Sequence, residues 1–262
     1  MTATYLDKIV ARHREEAAAD ARSLADLRGA VADLPPARGF ATALSARAAG
    51  GELAVISEIK RRSPSKGALN ADLDPAALAE RYVAGGAACL SVLTDTESFG
   101  GSVADLQAAR AAVPVPVLRK DFTVSQHDVY DARLMGADCV LLIAAALSGA
   151  ELADFHGLAR SIGLDVLVEI HDERELEVAL AVGATLIGVN QRDLVTFQVD
   201  HERAVRMAGA IPDTAVKVAE SGVRDAADAR SLRDAGYHAV LVGETLVTAA
   251  DPAATLQSLR LT

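Results

Sequence analysis

The chain has 262 residues, 51% of them apolar but only 3% aromatic, with no Trp. Asp and Glu (36) exceed Lys and Arg (26), for a net charge of -10, which disfavours nucleic acid and anionic membrane as partners. No uncharged apolar run approaches the roughly 18 residues of a membrane span, no apolar leader opens the chain, and two isolated cysteines, Cys89 and Cys139, make neither a disulfide framework nor a metal set. A cytoplasmic protein with buried free thiols is therefore expected.

Residues 1–50 form an N-terminal extension, helical by pattern (YLDKIVARHREEAAADARSLADL) until Pro35 and Pro36 break it. Two roles fit it: a helix that plugs or packs on the body of the protein, or a flap over an active-site mouth. From residue 53 onward, apolar runs at 53–60, 88–93, 115–120, 138–143, 165–169, 185–190, 215–220 and 238–243 alternate with Ala-rich amphipathic stretches. Those stretches fall at 74–84, 102–112, 125–135, 149–162, 172–182, 200–209, 224–235 and 252–260. Near-continuous apolar strands separated by helices mean a parallel sheet covered on its outer face. Eight such units over 51–262, with no strand left over, predict a single-domain (β/α)8 TIM barrel rather than an open doubly wound sheet.

Local signals agree with this division. Four helix-to-strand joints read alike (AGGAACLSVL, LMGADCVLLI, AVGATLIGVN, DAGYHAVLVG), each with a Gly where a helix end favours the left-handed conformation. Asp74-Pro75 and Asp251-Pro252 put an N-cap before a proline at the first helical position.

The tails of the apolar runs carry the chemistry. Lys60, Lys120, Glu169, Asn190 and Glu220 each close a different run. In a barrel each strand end delivers one side chain to a common mouth, so five polar endings describe one site. Glu58 stands two residues before Lys60 and shares its face, roughly 6.6 Å along the strand. A buried structural ion pair would explain Glu58 and Lys60 alone. Three carboxylates and two lysines around one cavity exceed that need and can split their protonation states, as acid–base chemistry requires. Two basic clusters, Lys60-Arg61-Arg62 with Lys66 and Arg119-Lys120, predict a local positive field for a small anionic ligand. Ser221-Gly222 after the seventh run and Gly243-Glu244 after the eighth, with Ser63 across the mouth, fit phosphate binding by backbone N–H groups. The six histidines form no metal-spaced set, and His171 fits a helix start as well as a site. No nucleotide or nucleophile motif occurs, so chemistry on Lys, Glu and Asn without metal or organic cofactor is expected.

These segments resemble the indole-3-glycerol phosphate synthases. SEIKRRSPSKG (57–67) is the most specific match. VLTDTESFGGSVADL (92–106), PVLRKDF (116–122), LLIAAAL (141–147), VLVEIHDERELEVAL (166–180), IGVNQRDLVTFQVD (187–200), VAESGVRD (218–225) and LVGETLV (241–247) follow in family order. The resemblance implies a barrel whose N-terminal segment lies over the mouth, and a cofactor-free lyase of tryptophan biosynthesis. Its phosphorylated small-molecule substrate would be 1-(2-carboxyphenylamino)-1-deoxyribulose 5-phosphate.

By the same resemblance, Lys120 is the general acid, Lys60 holds the benzoate carboxylate, Glu169 acts on the departing hydroxyl and Glu58 is a further catalytic carboxylate. Asn190 and Ser221 orient the substrate, and Glu220 positions the lysines. Ser63, Gly222, Gly243 and Glu244 take the phosphate, Arg192 adds to substrate binding, and Phe99, Phe122 and Leu142 wall the aromatic ring. Arg62 and Glu244 depart from the commonest pattern, and the Glu244 carboxylate is expected to turn from the phosphate. A monomer is expected, with weak self-association as the alternative. The rival functions are a phosphoribosylanthranilate isomerase, which would call for an Asp/Cys pair, and a catalytically silent phosphosugar-binding paralogue.

Overall fold

The computed structural model describes residues 4–64, 66–193 and 198–260. Its centre is a closed barrel of eight parallel strands. They are β1 (Ala54–Ile59), β2 (Cys89–Leu93), β3 (Val117–Lys120), β4 (Cys139–Ile143), β5 (Asp165–Ile170), β6 (Leu186–Asn190), β7 (Val216–Glu220) and β8 (Ala239–Val242). Neighbours in sequence are neighbours in the sheet, and β8 closes on β1 with Ala54 opposite Ala239. Every strand falls within two residues of the run predicted for it.

Side chains alternate across the sheet with period two. Ala54, Ile56, Leu118, Leu141, Leu167 and Val218 fill the interior, while Val55, Leu90, Val117, Val140, Val168 and Val240 pack outward into the helical layer. Burial on both faces explains why the strands read as unbroken apolar runs.

Three helices precede the barrel: α1 (Tyr5–Ala19), α2 (Leu24–Ala32) and α3 (Phe40–Ala49). The outer layer is α4 (Pro75–Gly85), α5 (Val103–Ala112), α6 (Gln126–Leu134), α7 (Gly149–Ser161), α8 (Glu173–Ala181), α9 (His201–Ala208), α10 (Ala226–Asp234) and α11 (Pro252–Arg260). Asp74 accepts hydrogen bonds from the N–H groups of Ala76 and Ala77 ahead of α4, as its Asp-Pro signature predicts. Ser148 and Glu151 form a reciprocal capping box at the start of α7.

The extension takes both roles the sequence left open, on different helices. Tyr5, Leu6 and Ile9 of α1 lie over the cavity at the carboxyl ends of the strands. Phe40 and Leu44 of α3, both fully buried, instead complete the interior cluster with Ala54, Cys89 and Cys139 at the opposite end. Two strand-start carboxylates hold α3 there: Asp138 accepts from the Arg38 N–H and Asp165 from the Ala41 N–H, each at 2.9 Å. Between them, Leu27 and Val31 of α2 pack with Tyr130 of α6 on the outer layer.

Besides the 3-10 turn Ala144–Ala146, three elements escaped the periodicity analysis because they are too short to show a period. They are a two-residue hairpin ladder, Arg62–Ser63 against Gly67–Ala68, and the short helices Thr96–Phe99 and Glu244–Val247. Among the described residues, no helix is long and apolar enough to cross a membrane.

Candidate active site

A cavity of about 660 Å³ opens at the carboxyl end of the barrel under α1. Strand geometry delivers its polar floor. The last inward position of β3 is Lys120, of β5 Glu169, of β6 Asn190 and of β7 Glu220, with Asn190 directly opposite Glu220 in the sheet. Glu58, Glu169 and Glu220 are 3%, 2% and 1% exposed, so each needs a partner to keep a charge.

Lys120 supplies the central one. Its Nζ donates to Glu169 Oε2 at 3.0 Å and to Glu220 Oε2 at 2.9 Å. Asn190 Nδ2 donates to the other Glu169 oxygen at 3.0 Å, and Ser221 Oγ donates to Asn190 Oδ1 at 2.9 Å. Lys60 pairs with Glu58 on the adjacent wall.

This arrangement separates the titration of the groups. Burial opposes the charge on Lys120, but Glu169, Glu220 and Glu58 outweigh it and hold its pKa above the ordinary lysine value. Burial also opposes the charge on Glu169, yet Lys120, His171 and Asn190 keep it ionised and its pKa low. Glu220 goes the other way: burial, with the charges of Glu169 and Glu58, overrides the pull of Lys120 and pushes it up to about 7. One lysine thus holds one firm carboxylate and one that protonates near neutrality. Glu220 Oε1 is buried without a hydrogen-bond partner.

Two glycines make room for these carboxylates. A side chain at Gly188 on β6 would collide with Glu220 Oε1, and one at Gly243 would collide with the Glu58 carboxylate. Ser221 is the one non-glycine residue in the left-handed region among those described (φ 69), and Gly222 follows it there (φ 77). Strain of this kind persists where the surroundings fix it. Here the fully buried Gln191 donates from Nε2 to the Ser221 carbonyl at 2.8 Å and pairs with His201 through Oε1 at 3.0 Å.

Of the residues singled out in the sequence, Glu58, Lys60, Ser63, Phe99, Lys120, Phe122, Glu169, Asn190, Arg192, Glu220, Ser221, Gly222, Gly243 and Glu244 all line the cavity. Leu142 does not. It is fully buried on the outer face of β4, in the helical layer, while its neighbours Leu141 and Ile143 line the cavity. A strand's side-chain parity makes the correction a shift of one residue. The rings of Phe99 and Phe122 lie 6.3 Å apart at the apolar side.

The basic clusters also divide. Arg119 points outward, where it pairs with Asp121 and the Asp128 carbonyl. Arg61 is taken by Asp105 and the carbonyls of Ala71 and Leu73, and the exposed Arg62 donates to the Thr96 carbonyl. Lys60 and Lys66 are the members of the first cluster that line the cavity. The Glu244 carboxylate reaches toward Lys66, 3.7 Å away. Ser65 lies outside the described residues.

No local sequence pattern signals how α1 is held. Arg12 and His13 of α1 both meet Asp95, His13 at 3.0 Å, and His13 also lies 3.7 Å from Asp121. Burial opposes the Asp95 charge, but His13, the Ser98 N–H and Arg12 depress its pKa far below the ordinary value. The His13 ring packs on Phe122, centroids 5.3 Å apart. His13, Asp95 and Asp121 have the ligand types for a metal ion, but Arg12 and Arg119 already meet the two carboxylates. Their geometry is that of a latch.

A family model described as indole-3-glycerol phosphate synthase matches residues 6–259. Among solved structures, the chain is similar to 3-hexulose-6-phosphate synthase from Salmonella typhimurium, with a TM-score of 0.62 at 15% identity over 79% of this chain and 96% of that one. It is also similar to thiamine phosphate pyrophosphorylase from Pyrococcus furiosus, with a TM-score of 0.59 at 15% identity over 79% and 93%. At that identity the likeness is one of fold.

Proposed function

The chain belongs to the indole-3-glycerol phosphate synthase family, and on that premise we propose that it closes the indole ring. It would convert 1-(2-carboxyphenylamino)-1-deoxyribulose 5-phosphate to indole-3-glycerol phosphate, CO2 and water. The observation that carries this reading is the Lys120 ammonium, held between two buried carboxylates at the cavity floor. A fixed cationic donor at that point polarises and protonates a carbonyl oxygen, so that the aromatic carbon can attack it.

The other roles follow from position. Lys60, across the floor beside Glu58, takes the benzoate carboxylate. Glu169 acts on the hydroxyl that departs, and Glu58 is the base that restores aromaticity. Asn190 and Ser221 orient the substrate through their shared hydrogen bond, and Glu220 fixes Lys120. Phe99 and Phe122 offer a wall for the aromatic ring. Ser63, Lys66, Gly222 and the Gly243-Glu244 backbone offer the phosphate end, with Arg192 nearby. Cys89 and Cys139 are buried and unpaired, which supports a reducing compartment.

The test is to mix the protein with that substrate in the presence of EDTA and follow indole absorbance and fluorescence, for which the absence of Trp keeps the protein's own background low. Indole formation that is lost in Lys120→Ala supports the proposal. Tight binding without turnover would replace it with a silent phosphosugar-binding protein.

A further inference from the structure

The proposed reaction has a proton requirement that the cavity does not meet by itself. The carbonyl oxygen leaves as water and takes two protons; the methylene carbon returns one as the ring becomes aromatic; the carboxylate leaves as CO2 and returns none. One proton per turnover must therefore come from solvent into a cavity that α1 covers and the substrate fills.

We propose that His171, backed by Glu175, is the positioning residue that carries this proton to Glu169, an inference that rests on the reading of the reaction given above. His171 follows β5 directly and does not line the cavity. Its Nδ1 is 3.0 Å from Glu175 Oε2, and the same oxygen accepts its backbone N–H at 2.7 Å. That fixes the ring with Nε2 turned toward Glu169 Oε1, 3.7 Å away. Nε2 is buried and makes no hydrogen bond. A buried ring nitrogen held short of a catalytic carboxylate and bonded to nothing else is unexplained by packing. The His171 and Glu175 side chains are 12% and 20% exposed, so the pair reaches solvent while the buried Glu169 does not.

The transfer balances. The imidazolium gives its Nε2 proton to Glu169 Oε1, and Glu169 gives it to the departing hydroxyl, which leaves as water. The ring is left neutral with Nδ1–H on Glu175 and Nε2 bare. Because Nε2 is buried against Glu169, the partly exposed ring must turn outward for Nε2 to take the next proton from water before it swings back. The charged groups facing the ring are Glu169 from β5, Glu175 from α8 and Arg203 from α9. Burial and Arg203 oppose the cationic ring, but the two carboxylates outweigh them and raise its pKa. The carrier is thus charged at the pH where it is needed.

The experiment uses the full chain. The wild type must first turn over the substrate; if it does not, the reading of the reaction has failed and this inference falls with it. Given turnover, His171→Asn is expected to lower kcat by about tenfold to a hundredfold with KM unchanged, and added imidazole is expected to restore it in proportion to concentration. An unchanged kcat, or a lost kcat that imidazole does not restore, overturns the proposal while leaving the reaction in place. Glu175→Gln keeps an acceptor for the backbone N–H and serves if His171→Asn does not fold. It should move the alkaline limb of the kcat profile to lower pH, because a carboxylate that favours the imidazolium is gone. An unmoved limb overturns the proposal.

Discussion

Lys120 and Glu220 stand 100 residues apart in sequence and meet at 2.9 Å on the cavity floor, with Glu169 completing the contact from the other side. Removing the cation leaves two buried carboxylates facing each other, and breaking a buried pair in this way costs about 3–5 kcal/mol. Lys120→Ala is therefore expected to abolish turnover and to lower stability most at neutral and alkaline pH, where both carboxylates would carry charge. Indole formation and thermal melting between pH 5 and 8 check this. Normal turnover in the variant would remove Lys120 from the chemistry.

Glu220 makes the stability itself depend on pH. Its folded-state pKa, about 7, lies above the ordinary 4.5 of an unfolded glutamate. The fold favours its protonated form, so its contribution is full below that ordinary value and is lost as pH rises through about 7. Glu169 has the opposite sense: its contribution is present above the ordinary value and is lost in acid. Glu220→Gln should flatten the fall in stability between pH 5 and 8 by on the order of 1–3 kcal/mol, measured by urea denaturation. An equal slope in variant and wild type would contradict the assignment.

The latch on α1 predicts a binding effect rather than a chemical one. Replacing both Arg12 and His13 by Ala removes the cationic partners of Asp95 and the ring that backs Phe122. KM is expected to rise about tenfold or more, equivalent to about 1.4 kcal/mol of lost closure, and α1 should become open to limited proteolysis. Unchanged KM and unchanged cleavage would mean that α1 closes the cavity by its apolar contacts alone.

Gly188→Ala adds a single methyl group where the Glu220 carboxyl lies. Overpacking of this kind costs about 1–3 kcal/mol, and here Glu220 must shift, carrying Lys120 with it. The expected result is a folded protein with a strongly reduced kcat and little change in KM. Wild-type kinetics in the variant would show that the placement of Glu220 is not critical.

The barrel was legible because both faces of each strand are buried and the helix ends are marked by Gly and Asp-Pro signals. The candidate site was legible at strand ends, where position in the element alone fixes which way a side chain points: placing Lys120, Glu169, Asn190 and Glu220 at one cavity needed no more than that. Leu142 failed by one residue because an all-apolar strand shows no alternation from which to set its parity. Arg119 failed for a related reason, since a charge next to a site residue on a strand faces the other way. The His13–Asp95 latch joins residues 82 apart through tertiary packing, and no local pattern records such a contact. Gln191 has no local pattern to single it out, yet it is fully buried and donates to the Ser221 carbonyl at a strand end distant in sequence.

The N-terminal extension seals the barrel at both ends, α1 over the mouth and α3 in the floor, and the two seals differ in kind. Phe40 and Leu44 belong to the interior core, so lifting α3 amounts to global unfolding, whereas α1 can detach with the core intact. Amide hydrogen exchange along this one segment should therefore run from fast at its start to the slowest class at its end. The segment over the mouth is in this way anchored to the most durable part of the molecule, so lifting it would not cost the chain its grip on the barrel.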